Sequence, residues 1–191
     1  MDEIVKAALK KWPQVPHCYG WLALDARGDW YMRDDRIQAA GPFPLVKGSR
    51  ILHDKLREFI HRNYDHDEQG CWFFQNGPQR VYVELEAAPW IWRLHANGKG
   101  VPRIESHTGL DAKYRQACLD EQDRLFVATD RGLGLVHTLD MELAADAVGS
   151  GAWTIERKAF DVLRQEQGFV LSPANERTQA QAGGPGRAEP A

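Results

Sequence analysis

Apolar residues recur at helical spacing in four stretches of the chain. In 2–12, Ile4, Val5, Ala8, Leu9 and Trp12 share one face, and Pro13 stops the run. In 49–64, Leu52, Leu56, Phe59 and Ile60 line a single stripe, with Ser49 placed to cap the helix. In 154–167 the stripe is Ile155, Ala159, Val162 and Leu163, with Thr154 as the cap and Gly168 as a left-handed stop. Residues 139–148 predict a shorter helix capped by Asp140. Between the helices the period falls to two. Val81, Val83 and Leu85 alternate with Arg80, Tyr82, Glu84 and Glu86, a half-buried strand. Cys71-Trp72-Phe73-Phe74 is apolar on both faces and predicts a strand covered on both sides. Asn76-Gly77 joins the two as a hairpin. Residues 13–19 hold two prolines and predict a connector, and the polar, core-free stretch from Pro173 onward predicts a disordered tail.

The pattern also repeats. Asp67-Glu68-Gln69-Gly70-Cys71-Trp72-Phe73-Phe74 matches Asp120-Glu121-Gln122-Asp123-Arg124-Leu125-Phe126-Val127 at an offset of 53 residues, and Asp25-Ala26-Arg27-Gly28-Asp29-Trp30-Tyr31-Met32 is a looser third copy. In each, polar turn residues lead into an apolar strand, as at a hairpin entry. Arg131-Gly132 then answers Gly77-Pro78 as the next turn. The expected fold is α+β: two related small modules of antiparallel strands, each with a helix, plus an N-terminal helix, packed through aromatic faces. The expected divisions are an N-terminal helix and connector at 1–19, modules at 20–95 and 96–172, and a tail at 173–191.

Composition narrows the function classes. The chain has 191 residues, 43% of them apolar, with seven Trp, seven Phe and five Tyr, enough aromatic surface to build a core. A net charge of −3 argues against a general nucleic-acid binder, whose affinity comes from clustered Lys and Arg. The start, Met1-Asp2-Glu3, has neither the positive end nor the apolar block of a secretory signal, and no apolar run approaches the ~20 residues of a membrane helix. Cys18, Cys71 and Cys118 form no CxxC pair and suit free thiols in the cytoplasm.

Candidate chemistry is sparse. His61, Asp65, His66, Asp67 and Cys71 are dense in ligand atoms, but the two histidines straddle a helix end and match no metal spacing, so no metal is expected. His107-Thr108 and His137-Thr138 lack the third group a nucleophile needs, and Gly132-Leu133-Gly134 lacks the third glycine of a nucleotide loop. Asp25, Asp34, Asp35 and Asp67 fit turns better than acid–base work. The residues best suited to a ligand are Trp72, Phe74, Arg80, Tyr82 and Glu84, a cation and an acid between aromatic walls, together with Trp90, Trp92 and Arg93. No cofactor is expected.

Phe59-Ile60-His61-Arg62-Asn63-Tyr64, followed by the run from Asp67 to Val83, resembles a family of uncharacterised proteobacterial proteins known as a domain of unknown function, from about Leu9 to Ser172. The order of elements over 52–92 is distantly similar to a second unknown-function family built from repeated small α+β modules, thought to act in signalling or ligand sensing. The resemblance implies a cytoplasmic bacterial protein, supports the repeat, and supplies no catalytic motif. The expected function is a non-enzymatic module binding a small ligand or a protein partner, of a regulatory or signalling kind; the alternatives are an enzyme of unrecognised type using Glu84 or Glu86 with Arg80, or a single-stranded nucleic-acid binder using Trp90, Trp92 and Arg93.

Overall fold

The computed structural model describes residues 1–98 and 100–182. Six strands form the first sheet: β1 (Cys18–Leu24), β2 (Trp30–Met32), β3 (Ser49–Arg50), β4 (Tyr64–His66), β5 (Trp72–Asn76) and β6 (Gln79–Leu85), in the order β3-β2-β1-β6-β5-β4. The second holds β7 (Trp90–His95), β8 (Arg103–Ser106), β9 (Asp111–Ala112), β10 (Tyr114–Leu119), β11 (Leu125–Thr129), β12 (Gly132–Val136) and β13 (Ile155–Arg157), in the order β13-β10-β11-β12-β7-β8-β9. Replacing β1–β6 by β7–β12 reproduces the first order, with β13 added at one edge. β1 runs parallel to β6 and β7 parallel to β12, while the other neighbours within each six are antiparallel. The α+β fold of two related modules is therefore present. Phe73 opposite Tyr82 recurs as Phe126 opposite Leu135, 53 residues on.

The aspartates that open the repeats act as turn closers. Asp67 Oδ1 accepts the amides of Gln69 and Cys71, and Asp120 Oδ1 those of Gln122 and Arg124. Asp25 does the same for Arg27 and Asp29. The fourth residue of each turn has positive φ: Gly70 (79°), Asp123 (58°) and Gly28 (82°). A fourth copy joins β8 to β9, where Ser106 Oγ accepts the amides of Thr108 and Leu110 and Gly109 takes φ 83°.

The second sheet curls. β9 and β10 stand at opposite ends of a six-strand order, yet only Lys113 separates them. A flat sheet would place them about 24 Å apart, five strand spacings, whereas two Cα steps reach about 7 Å. Paired bonds between Lys113 and Asp130, at 2.8 and 3.1 Å, hold the connecting residue against the turn after β11. In the first sheet the same link is made by a helix, α3 (Asp54–Arg62), following α1 (Glu3–Lys11) and α2 (Asp35–Ala40). The interior of the second curl is filled by Trp90 and Trp92, stacked at 5.8 Å, whose indole N–H groups donate to the carbonyls of Arg131 and Val127. They lie over Gly134, where an added Cβ would come within 2.4 Å of the Trp92 nitrogen and 2.8 Å of Trp90 Cβ. Trp90 also meets Trp72 edge-on at 5.1 Å, which makes the cores of the two sheets continuous.

Several sequence expectations need correction. Helix α3 starts at Asp54, capped by the His53 ring accepting from the Leu56 amide, because Ser49–Arg50 is drawn into pairing with β2. Leu52 is exposed ahead of it. The stretch 154–167 divides into edge strand β13 and α5 (Phe160–Gln167), since Ile155–Arg157 pairs with β10; Gly168 caps α5 in the left-handed region as expected. Asp140 makes no cap bond to α4 (Met141–Gly149) and binds Arg93 instead. Trp90–His95 belongs to the second sheet, so the division between sheets falls in 86–89, ahead of residue 95. Residues 173–182 of the expected tail form α6 (Pro173–Ala182): Ser172 accepts the Asn175 amide and Pro173 opens the helix. Residues 183–191 lie outside the described residues. After α5 the chain returns to the first sheet, where Val170 N donates to Gly70 O and Leu85 N to Leu171 O. Among the described residues no helix is long and apolar enough to cross a membrane.

Two glycine substitutions separate crowding from backbone freedom. Gly134→Ala is expected to lower stability by about 1–3 kcal/mol through overpacking against the tryptophans. Gly149→Ala, at the end of α4 with nothing within 4 Å, is expected to raise it by about 0.4–1 kcal/mol. Urea denaturation of both variants checks the contrast, and a neutral Gly134→Ala contradicts the packing described.

Candidate functional site

Alternation on β6 sends Arg80, Tyr82 and Glu84 to one face of the first sheet and Val81, Val83 and Leu85 to the other. The cross-strand pairs Phe73 with Tyr82 and Phe74 with Val81 put Phe73 and Gln75 on the Arg80 face, and Trp72 and Phe74 on the opposite, core-facing side. The expected pocket of Arg80, Tyr82 and Glu84 walled by Trp72 and Phe74 is thus split by the sheet itself. Arg80 lies over the Phe73 ring at 4.4 Å. Tyr82 stacks on Tyr19 at 4.5 Å and donates to Asp67 at 2.9 Å; burial, helped by that carboxylate, pushes its phenol up to about 12. Trp90 and Trp92 are interior and offer no ring face to a base. Arg93 is held by Asp140 through bonds of 2.6 and 3.1 Å.

Glu84 does reach a cleft, with a different arginine. A hollow of about 260 Å³ opens on the outer face of the first sheet, between the loop after β2 and the start of α6, lined by Arg33, Gln38, Phe43, Glu84, Ser172 and Asn175, among others. Arg33 and Glu84 are only 4% and 5% exposed, yet they form no ion pair with each other. Arg33 Nε and Nη2 donate to the carbonyls of Val46 and Gly41 at 3.2 and 2.7 Å, fixing the loop, while its own carbonyl accepts from Gln38 Nε2. Glu84 Oε1 accepts the Ala174 amide at 3.2 Å. Burial pushes the Glu84 carboxyl up, against the pull of Ser172, the Ala174 amide and Arg33, and burial likewise lowers the Arg33 guanidinium. Positional periodicity marks Glu84 but not Arg33, which sits in a loop. For α6, the legible signal was Ser172-Pro173, a cap followed by a first-turn proline.

Two other hollows flank the core. One, of about 340 Å³ and almost wholly apolar, lies inside the first curled sheet beneath α3 and includes Phe74. The other, of about 400 Å³, lies at the seam where the Asp25 turn meets the Ser106 turn, with Arg27, His61, Arg93 and His107 along it. There His61 Nε2 accepts from the Trp30 indole at 3.0 Å and His107 Nδ1 from the Ile91 amide at 3.3 Å, so each ring is held in its neutral form.

The model of a family described as "Protein of unknown function (DUF2946)" matches residues 1–183. Among curated proteins none matches the chain. A solved structure similar to it is that of a DUF1285 family protein from Shewanella baltica, at 16% identity and a TM-score of 0.45, covering 66% of this chain and 91% of that one.

Burial holds His61 down to about 4, with Arg57 adding to the effect, and His107 down to about 3, with His61 adding to it. An unfolded imidazole titrates near about 6.5, so below that pH the unfolded chain binds protons that the native rings refuse. Their contribution to stability is intact above about pH 6.5 and declines as the pH falls toward 4. Proton NMR is expected to show both rings unchanged from about pH 7.5 to 5.5, and a midpoint near 6.5 for either contradicts the burial described.

Proposed function

The chain belongs to the family described as "Protein of unknown function (DUF2946)", and on the strength of its own side chains we propose that it is a small-ligand-binding module whose site is the Arg33–Glu84 cleft. One observation carries this reading. Removing a charge from water costs several kcal/mol, and proteins ordinarily offset that cost by direct pairing. Here a buried cation and a buried acid face one cleft and stay apart. Arg33 has two of its nitrogens engaged by the loop carbonyls, and Nη1 remains for an incoming anion. Glu84 has one oxygen on the Ala174 amide and the Ser172 hydroxyl beside it, so its charge meets neutral donors from the start of α6 and, among the described residues, no cation within ion-pair distance.

A molecule complementary to both groups carries an anionic group and a cationic or donor group a short distance apart, in a body that fits about 260 Å³. An amino-acid-sized zwitterion meets that description. Gln38 and Asn175 add amide contacts, and Phe43 an apolar wall. Since Ser172, Ala174 and Asn175 come from the start of α6, occupancy tightens the docking of that helix, which is the regulatory side of the proposal. The reading is of a receptor and involves no covalent step.

Thermal denaturation of the full chain with each of the twenty L-amino acids tests it. At least one is expected to raise Tm saturably, by about 5–10 °C at about one hundred times its Kd. Glu84→Gln keeps an acceptor for the Ala174 amide but removes the charge, and is expected to weaken that ligand at least about tenfold. A flat response across the whole set, or a response that Glu84→Gln leaves unchanged, removes the proposal.

A further inference from the structure

The apolar hollow inside the first sheet has a counterpart in the second, and the two are filled differently. Cys18 and Leu22 on β1 stand opposite Val81 and Val83 on β6. At the offset of 53 residues, Val81 and Val83 correspond to Gly134 and Val136, and opposite these on β7 stand Trp90 and Trp92. Cys18 and Leu22 therefore occupy the positions that two tryptophans hold in the copy. The strand order is the same, although β1 carries a bulge between Cys18 and Leu22 that β7 lacks, and the side chains paired with Val81 and Val83 are much smaller than the two tryptophans. What results is the hollow of about 340 Å³, with Cys18, Leu22, Ile51, Ile60, Phe74 and Val81 around it. It falls within the range of about 300–1,000 Å³ typical of pockets for small ligands.

We infer that this hollow is a second ligand site, one that takes a flat, apolar, bicyclic ring of the kind indole represents. The second module shows what the scaffold accepts at this place: indole rings lying across β12, stacked at 5.8 Å, each with its N–H on a backbone carbonyl. The first module keeps Phe74 at the position of Val127, whose carbonyl receives Trp92. Met32, 49% exposed, stands at the mouth, and Asn76 offers an amide at the rim. The core-facing side of the sheet holds this site and the outer side holds the Arg33–Glu84 cleft, so either can fail without the other.

Isothermal titration and ligand-observed NMR with indole, on the full chain, test the inference. Saturable binding at one site per chain is expected. Met32→Lys, which puts a charge at the mouth on an exposed position, is expected to weaken it at least fivefold, and Glu84→Gln to leave it unchanged. Cys18→Trp combined with Val81→Gly copies the second module and fills the hollow from within; with its circular dichroism native, it is expected to lose indole binding by tenfold or more. If that double variant does not fold, Met32→Lys decides alone. No saturable binding by the wild type up to the solubility of indole overturns the inference, and so does binding that Met32→Lys does not alter.

Discussion

A small sheet that curls back on itself must have something in its middle. That constraint organises this molecule. In the second module it follows from connectivity: Lys113 alone carries the chain from one edge of a six-strand order to the other. Trp90 and Trp92 satisfy the demand, and Gly134 is the concession that lets them lie flat. The first module meets the same demand loosely, with α3 spanning its open side and Cys18 and Leu22 where the second has tryptophans. The two modules share strand order and turns, and differ in what fills them.

The sequence made the repeat legible because turn chemistry is local. An aspartate that accepts two amides, followed by a residue able to take positive φ, looks the same wherever it occurs, and Asp25, Asp67 and Asp120 could be found by eye. Ser106 escaped because a hydroxyl does the same work and no aromatic strand follows. The glycines of Gly132-Leu133-Gly134 had no visible purpose in the sequence, since what Gly134 makes room for lies more than forty residues earlier.

Faces were harder to read than elements. Strand alternation correctly separated Arg80, Tyr82 and Glu84 from Val81, Val83 and Leu85. The side on which β5 would present Trp72 and Phe74 depends on cross-strand register, and a one-residue difference reverses it. The arginine that shares a cleft with Glu84 is Arg33, far back in the sequence in a loop whose course is set by its own guanidinium bonds to the Gly41 and Val46 carbonyls. Helix α6 was hidden by composition: a polar, alanine-rich stretch resembles a tail until Ser172-Pro173 is read as a helix start.

The last described helix covers the outer side of the first sheet, and the stretch leading to it is laced past Gly70, where an added Cβ would sit 1.8 Å from the Gly168 carbonyl oxygen. The module synthesised earliest thus waits for residues made after its sibling before its exterior is complete. Until the return of 169–172 and α6 are in place, Tyr19 lacks the Arg177 guanidinium over its ring and Glu84 lacks the Ala174 amide. Assembly runs in a loop, with residues that follow the second sheet sealing the first, and a nascent chain released short of Ser172 would carry two curled sheets, the first of them unroofed on its outer side.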